Sequence, residues 1–274
     1  MKAQSFMTKQ FISLTSDFGV QTQGVGIMQG VVLSIAPDVN VIHLMHGLPE
    51  FDITAAARTM ETVRFLPIGA HVCVCDPGVG TNRKAIICET ARGDYLIGPD
   101  NGVLIPATRV LGGVVRVHEI SNTKYMRQPV SPIFHGRDIF SPAAAHLAIG
   151  IPIAEFGPLL DNDSLVSATY EEASQYNNKI ISKIIQINRF GSIHLNISHE
   201  IWDEFSISSK NNVIVETEKY GRMELPICRT FADVQCGEYL LLKDDYGRVE
   251  IAKNMGSFVG DFPLKINDEV VIHN

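Results

Sequence analysis

Three short polar clusters in the first half of the chain have the residue types that chemistry at a strand end requires. The first is Ser-Asp-Phe-Gly at positions 16–19, directly after an apolar run at 11–15. The carboxylate of Asp17 could accept hydrogen bonds from the two hydroxyl groups of a ribose. The alternative for Asp17 is an ordinary turn residue on the approach to a helix.

The second cluster, residues 76–83, begins with Asp76, contains two glycines and a proline, and ends with Arg83. Glycine allows a loop backbone to approach a ligand closely, and Arg83 can point back at Asp76. A salt bridge within the loop is the alternative. The loop is not a Walker A loop, because no Gly-Lys-Ser/Thr follows it. Glycines at 24, 26 and 30 imitate a dinucleotide fingerprint, but their distance from the strand and their spacing do not fit it.

The third cluster is Phe-His-Gly-Arg-Asp at positions 134–138. It is followed by Pro142, which lies where a proline favours the first turn of a helix. A lone histidine is more often structural, and His146 in the next helix fits that description. His135 differs because Gly136 leaves room beside it and two charged residues come next. We therefore take His135 as a candidate for chemistry.

The elements that must position these clusters alternate between strand and helix. Apolar runs at 11–15, 41–44 and 71–75 predict strands, and the stretches 26–36 and 53–65 predict helices that stop before prolines. This alternation indicates an α/β domain with a mostly parallel sheet. Ligands bind at the carboxyl ends of the strands in such sheets, and we expect the three clusters to fall there.

The last part of the chain has a different residue pattern. Short β-like runs at 179–188, 192–197, 212–217, 239–243, 248–252 and 269–272 are separated by Gly, Asn and Asp. They predict a smaller all-β domain, a barrel or a sandwich. The polar stretch between the α/β part and the all-β part predicts a linker. The expected boundaries are an α/β domain at 1–160, a linker at 161–178 and an all-β domain at 179–274.

Four motifs taken together resemble one known family. They are Leu-Thr-Ser-Asp-Phe-Gly at 14–19, Asp-Pro-Gly-Val-Gly at 76–80, Gly-Pro-Asp-Asn-Gly at 98–102 and Phe-His-Gly-Arg-Asp-Ile-Phe-Ser-Pro at 134–142. In this order they resemble the S-adenosyl-L-methionine (SAM) hydroxide adenosyltransferases, or SAM hydrolases, which are relatives of the fluorinase and chlorinase. The resemblance implies an α/β domain followed by a β-barrel, and a homotrimer with active sites between subunits.

The resemblance also implies a reaction. Water or hydroxide attacks C5′ of the SAM ribose, and adenosine and L-methionine are released. The family uses an Asp-Arg-His triad to align the nucleophile, and Asp76, Arg83 and His135 occupy those positions. Asp17 matches the acid that holds the ribose diol, and Phe51 lies where relatives place an aromatic residue near the nucleoside. No cofactor is implied, because SAM is itself the substrate.

Two further positions bear on specificity within the family. The halogenases carry an uncharged residue at the position of Asp76, and the fluorinase has a serine at the position of Gly136. Because this chain keeps the carboxylate and the glycine, the resemblance disfavours halogenation. Phe231 is a looser match to a residue that stacks on adenine from the barrel.

The barrel half departs from the family pattern around Phe190. Asn188 stands where relatives have an Asp that holds the methionine ammonium, and Ser192 stands where they have an Asn that reads the adenine edge. Asp245 replaces a Ser-like position near the methionine end, and it could supply the missing acid. The alternative function is therefore a non-catalytic or altered-ligand protein that binds adenosyl compounds on the same scaffold.

Composition limits the other function classes. The formal net charge is −7 and no Lys/Arg run occurs, which disfavours nucleic acid and an anionic membrane surface as partners. No apolar run is long enough to span a bilayer, and no secretory signal is recognised. The five cysteines have no metal-binding spacing and suggest reduced thiols. We therefore expect no metal and a cytoplasmic location.

Overall fold

The computed structural model describes residues 11–205 and 211–273. The described residues form two compact units, which divide between Thr169 and Tyr170. The predicted linker, 161–178, spans this division. It contains the strand Ser174–Tyr176, which pairs with the first long strand of the second unit.

The first unit contains a seven-stranded sheet, as far as the described residues show, in the order β2-β1-β3-β5-β4-β6-β7. Pairs β1–β2, β1–β3 and β3–β5 are parallel. The predicted runs at 11–15, 41–44 and 71–75 all lie in this parallel half. The strands are β1 (Phe11–Ser16), β2 (Asn40–Met45), β3 (Ala70–Val74), β4 (Ala85–Thr90), β5 (Tyr95–Pro99), β6 (Val114–Glu119) and β7 (Leu159–Leu160).

The other half of this sheet is antiparallel, so the expectation of a mostly parallel sheet was wrong and the sheet is mixed. Strand β4 pairs antiparallel with both β5 and β6, and β6 pairs antiparallel with β7. The physical reason is the length of the β4–β5 connection. Thr90 and Asp94 bracket a tight turn with Gly93 at φ +99°. So short a turn can join only antiparallel neighbours, since a parallel crossover needs a dozen or more residues.

Helices cover the sheet and end where the sequence supplies caps or prolines. They are α1 (Gln23–Ile35), α2 (Ile53–Met60), α3 (Ile105–Val110) and α4 (Ser141–Ala148). The side chain of Asp52 accepts from the Ala55 amide at 2.9 Å and so caps α2. The predicted helix at 53–65 is α2 continued by a 3₁₀ turn, Glu61–Phe65. Ile12, Leu14, Val72 and Phe140 belong to the apolar core between sheet and helices.

The second unit is an antiparallel barrel-like sheet of eight described strands. The path runs β12-β11-β15-β9-β10-β14-β13, with β8 on β9, and a single bridge between Ile227 and Leu241 links its two ends. All six predicted runs lie on strands, whereas β8 and β12 were not predicted. The strands are β8 (Ser174–Tyr176), β9 (Lys179–Ile187), β10 (Ile193–Ser198), β11 (Asn212–Thr217), β12 (Gly221–Pro226), β13 (Tyr239–Lys243), β14 (Arg248–Lys253) and β15 (Glu269–His273).

Two short helices complete the described part of this unit, α5 (His199–Glu204) and α6 (Phe258–Asp261). The interior is filled by the inward-facing residues of the strands, among them Ile184, Leu195, Val249 and Ile272. Alternation of these side chains with polar ones is the pattern expected for a closed sheet. No helix in the described ranges is long and apolar enough to cross a membrane.

Candidate active site

The three polar clusters of the first unit meet at one cavity of about 260 Å³. It lies beyond the carboxyl ends of the parallel strands β1 and β3, the edge at which ligands bind in open α/β sheets. Its lining includes five of the residues selected from the sequence: Asp17, Phe51, Asp76, His135 and Gly136. Sequence reasoning missed other lining residues, including Glu50, Val79 and Ile133.

Asp17 directly follows β1 and is tied to the β2–α2 loop. Its Oδ2 accepts a hydrogen bond from the Phe51 amide at 3.0 Å. Phe51 has φ +61°, an uncommon value for a non-glycine residue, and its side chain is 68% exposed at the cavity. Ile133, on the cavity lining, is 78% exposed. The cavity therefore combines a carboxylate with two uncovered apolar side chains.

Asp76 and Arg83 form a forked ion pair after β3. Arg83 Nε lies 3.0 Å from both carboxylate oxygens of Asp76, and Arg83 Nη2 also donates to Asp76 Oδ2. The Asp76 side chain is only 5% exposed. Gly80, with φ +78°, is needed in this loop because a Cβ there would lie 2.5 Å from the carbonyl oxygen of Pro132. The loop thus holds a nearly buried carboxylate in a fixed orientation.

His135 is joined to this pair through the arginine. Arg83 Nη2 lies 2.6 Å from His135 Nδ1. Because a guanidinium only donates, Nδ1 must be the acceptor, and the neutral imidazole carries its proton on Nε2. Burial, and secondarily the positive charge of Arg83, lower the pKa of His135. The three residues form one cluster with a neutral histidine.

Gly136 begins a π-helical turn, Gly136–Phe140, that leads into α4. A Cβ at this position would lie 3.1 Å from Met28 Sδ and 3.4 Å from Val74 Cγ1, so the space is already occupied. The charges that follow in the sequence serve the turn itself: Arg137 and Arg127 both pair with buried Asp138. The π turn carries His135 at its start, a placement common near functional sites.

In the second unit, Asn188 organises the turn between β9 and β10. Its Oδ1 accepts from the amides of Phe190 at 3.0 Å and Ser192 at 3.1 Å. These two donors fix the orientation of the side-chain amide, because a flipped Nδ2 would face two N–H groups. Phe190 is 72% exposed on this turn, and Ser192 is buried. Asn188 Oδ1 is therefore already committed within its own turn.

Two residues that the sequence reasoning missed extend this arrangement. Asn188 Nδ2 lies 3.2 Å from His194 Nε2, and His194 Nδ1 lies 2.8 Å from Asp244 Oδ2. The carboxylate connected to Asn188 is thus that of Asp244, whereas Asp245 is exposed on the β13–β14 turn. The sequence carried two signals for these residues. His194 lies two residues beyond Ser192, and Asp244 directly precedes Asp245.

Phe231 starts a 3₁₀ turn, Phe231–Asp233, and its side chain is 44% exposed. The structure thus gathers the α/β residues at one cavity and places Asn188, Phe190 and Ser192 on one barrel turn. Within the described ranges no group of three or more His, Cys, Asp or Glu side chains could hold a metal ion. The ligand contacts expected of Phe231 and Asp245 stay predictions.

Comparison with known proteins points to a single family. A family model described as the SAM hydroxide adenosyltransferase N-terminal domain matches residues 12–157, and the corresponding C-terminal domain model matches residues 182–271. An (R)-S-adenosyl-L-methionine hydrolase of Salinispora tropica is 35% identical over 90% of this chain and 91% of that protein. One of Methanocaldococcus jannaschii is 31% identical over 95% of each chain.

More distant relatives include a fluorinase of an Actinoplanes species, 26% identical over 95% of this chain and 96% of its own. Among solved structures, that of an uncharacterized conserved protein from Thermotoga maritima superposes with a TM-score of 0.87 at 30% identity. The match covers 96% of this chain and all of that one.

Proposed function

The chain belongs to the SAM hydroxide adenosyltransferase family, and from this premise we propose that it hydrolyses SAM to adenosine and L-methionine. The observation that carries the proposal is the linked set of Asp76, Arg83 and His135 at the cavity. The hydrolases named among the relatives favour this activity over the non-catalytic alternative. The retained carboxylate of Asp76 weighs against halogenation, because it would repel a halide.

The chemistry is a substitution at C5′ of the ribose. An oxygen–carbon bond forms, the carbon–sulfur bond breaks, and its electron pair neutralises the sulfonium as methionine leaves. A sulfonium needs no general acid to depart, so the protein must mainly align and partly desolvate the nucleophile. The proposed reaction accordingly requires neither a metal nor a redox cofactor.

The hydrogen-bond geometry supports a division of roles within the triad. Because Arg83 occupies His135 Nδ1, the Nε2–H of His135 is a donor that can orient the water oxygen. The carboxylate of Asp76 can accept a water proton and direct the attacking lone pair towards C5′. Arg83 fixes Asp76 through its fork and His135 through Nη2. In this arrangement Asp76 acts as the base and His135 as the orienting donor.

The remaining contacts follow from the placement of the other residues. Asp17 would hold the ribose diol, with Phe51 beside the nucleoside. From the barrel turn, Phe190 and Ser192 would contact the adenine end. Asn188, whose Oδ1 is committed to its own turn, would meet the amino-acid tail through its remaining Nδ2–H. We further propose a homotrimer in the cytoplasm, in which one chain supplies the α/β residues of a site and a neighbouring chain supplies the barrel residues.

The direct test is to incubate the purified protein with SAM and to measure adenosine by chromatography. In ¹⁸O-labelled water the label should enter the 5′-hydroxyl of adenosine, and an unlabelled product would exclude attack by water at C5′.

Asp76→Asn and His135→Ala should lower turnover by about 10²–10⁴-fold. Activity that is lost with a chelator and restored by a divalent cation would contradict the metal-free reaction.

A further inference from the structure

A line of hydrogen bonds runs behind the cavity, from the end of β1 to the surface of α1. Ser16 Oγ lies 2.7 Å from His46 Nδ1, and His46 Nε2 lies 2.8 Å from His43 Nδ1. His43 Nε2 in turn lies 3.0 Å from Gln29 Oε1. Ser16 and His46 are buried, whereas His43 is exposed. None of the four residues lines the cavity.

Every hydrogen bond of this line has one donor and one acceptor when the protons all point from Ser16 towards Gln29. Ser16 Oγ accepts from the Phe18 amide at 3.4 Å, so its own proton can be donated to His46 Nδ1. His46 then donates from Nε2 to His43, and His43 donates from Nε2 to Gln29. Burial, followed by the neighbouring His43, lowers the pKa of His46 to about 4. A neutral imidazole is the form that this line of bonds requires.

His46 also binds the same turn through its backbone, because its carbonyl oxygen accepts from the Gly19 amide at 2.8 Å. The turn at 16–19 and the loop that follows β2 are therefore joined at three points. These are Ser16 with the His46 ring, Gly19 with the His46 carbonyl, and Asp17 with the Phe51 amide. Together the turn and the loop form the wall of the cavity that carries Asp17 and Phe51.

We propose that His46 is a positioning residue that fixes the Asp17 carboxylate for the ribose diol. This inference rests on the proposed function, because it assigns the Asp17 wall to nucleoside binding. His46 touches no reacting atom in this scheme; its ring acts through Ser16, while its backbone carbonyl, which every variant keeps, holds Gly19. Its loss should therefore weaken nucleoside binding while leaving the Asp76–Arg83–His135 cluster in place.

The test compares His46→Leu and Ser16→Ala with His46→Asn, whose Oδ1 can still accept from Ser16. The matched control is His118→Leu, because His118 is as buried as His46, and its ring hydrogen-bonds to the Gly157 carbonyl, away from the cavity. Each variant is measured for its adenosine dissociation constant by calorimetry and for KM and kcat with SAM. Amide hydrogen exchange is followed at Gly19 and Phe51.

We expect His46→Leu and Ser16→Ala to raise the adenosine dissociation constant and KM by about 3–10-fold, the range for one lost hydrogen bond. The value of kcat should stay near that of the wild type. Exchange at Gly19 and Phe51 should become faster, and the double variant should be no worse than the worse single variant. His46→Asn should recover most of the binding, and His118→Leu should alter none of these values.

Unchanged exchange and unchanged adenosine affinity in both Ser16→Ala and His46→Leu would overturn the positioning role. A fall in kcat as large as the rise in KM would do the same. If His46→Leu fails to fold, Ser16→Ala alone decides, because it removes the same bond from the other partner. Wild-type protein that binds adenosine but does not hydrolyse SAM would refute the proposed reaction, while the exchange and affinity data would still decide the role of His46.

Discussion

Replacing Arg83 tests the central geometry most directly, because one side chain holds both the proposed base and the proposed orienting donor. Arg83→Gln removes the fork to Asp76 and the donor to His135 Nδ1. A charge-assisted hydrogen bond contributes about 1.5–3 kcal/mol, so loss of the His135 contact alone should lower kcat by roughly 10–150-fold. Loss of the fork also leaves the nearly buried carboxylate of Asp76 without its cation, which should lower kcat further.

The same substitution should move the pH dependence in a defined direction. Arg83 contributes to lowering the pKa of His135 in the folded protein. The wild-type His135 is therefore neutral at and above its ordinary titration range, and activity should fall only on the acid side of it. Removing the positive charge lets the pKa of His135 rise, so the acid limb of the kcat profile should shift upwards. Arg83→Lys keeps the charge and should shift the limb less.

The assay is adenosine release from SAM, followed across pH for the wild type, Arg83→Gln and Arg83→Lys. Arg92→Gln is the matched control, because Arg92 also forms a forked pair, with Asp94, away from the cavity. It should change stability without moving the acid limb. An Arg83→Gln variant with wild-type kcat, or with an acid limb that stays in place or moves down, would refute the assignment of roles in the triad.

Three further outcomes follow from the site. Asp17→Ala should raise the adenosine dissociation constant by at least 10-fold with a smaller effect on kcat, and unaltered calorimetry would remove Asp17 from the binding site. Gly136→Ser should lower the melting temperature and kcat through crowding against Met28, measured by thermal unfolding and turnover. On a hydrolysis-dead His135→Ala background, Asp244→Asn should weaken SAM binding several-fold, because Asp244 is connected to Asn188 through His194. Asp245 is exposed on its turn, so Asp245→Asn should weaken SAM binding by under twofold. The reverse order would instead favour Asp245 as the acid that serves the methionine tail.

The sequence predicted most of the elements whose signal is local. The strands β1, β2 and β3 are short apolar runs, and the barrel strands are apolar runs closed by Gly, Asn or Asp. Strand β12 was missed because several of its residues, including Arg222 and Glu224, are exposed and polar. The antiparallel half of the first sheet was missed because it is built around β4, a strand that the sequence reasoning did not predict. Without β4, the short connection that makes β5 its antiparallel neighbour could not be recognised.

The site was predictable to the extent that its chemistry lies in contiguous motifs. Asp17, Asp76 and His135 each stand in a motif, and the fold brings them to one cavity. The contacts that fix those side chains join residues far apart in the sequence, such as Ser16 with His46 and Asn188 with Asp244 through His194. The direction in which the Asn188 amide points depends on two backbone donors, and no residue type in the sequence specifies that.

The uncovered apolar side chains at the cavity have a calorimetric consequence. Phe51 and Ile133 expose most of their surface to water in the described chain. A ligand that covers them removes apolar area from solvent, and such burial makes the heat capacity of binding negative. The enthalpy of adenosine binding should therefore become more favourable as the temperature rises, and replacing Ile133 with serine should flatten that slope while Asp17 and its diol contact remain.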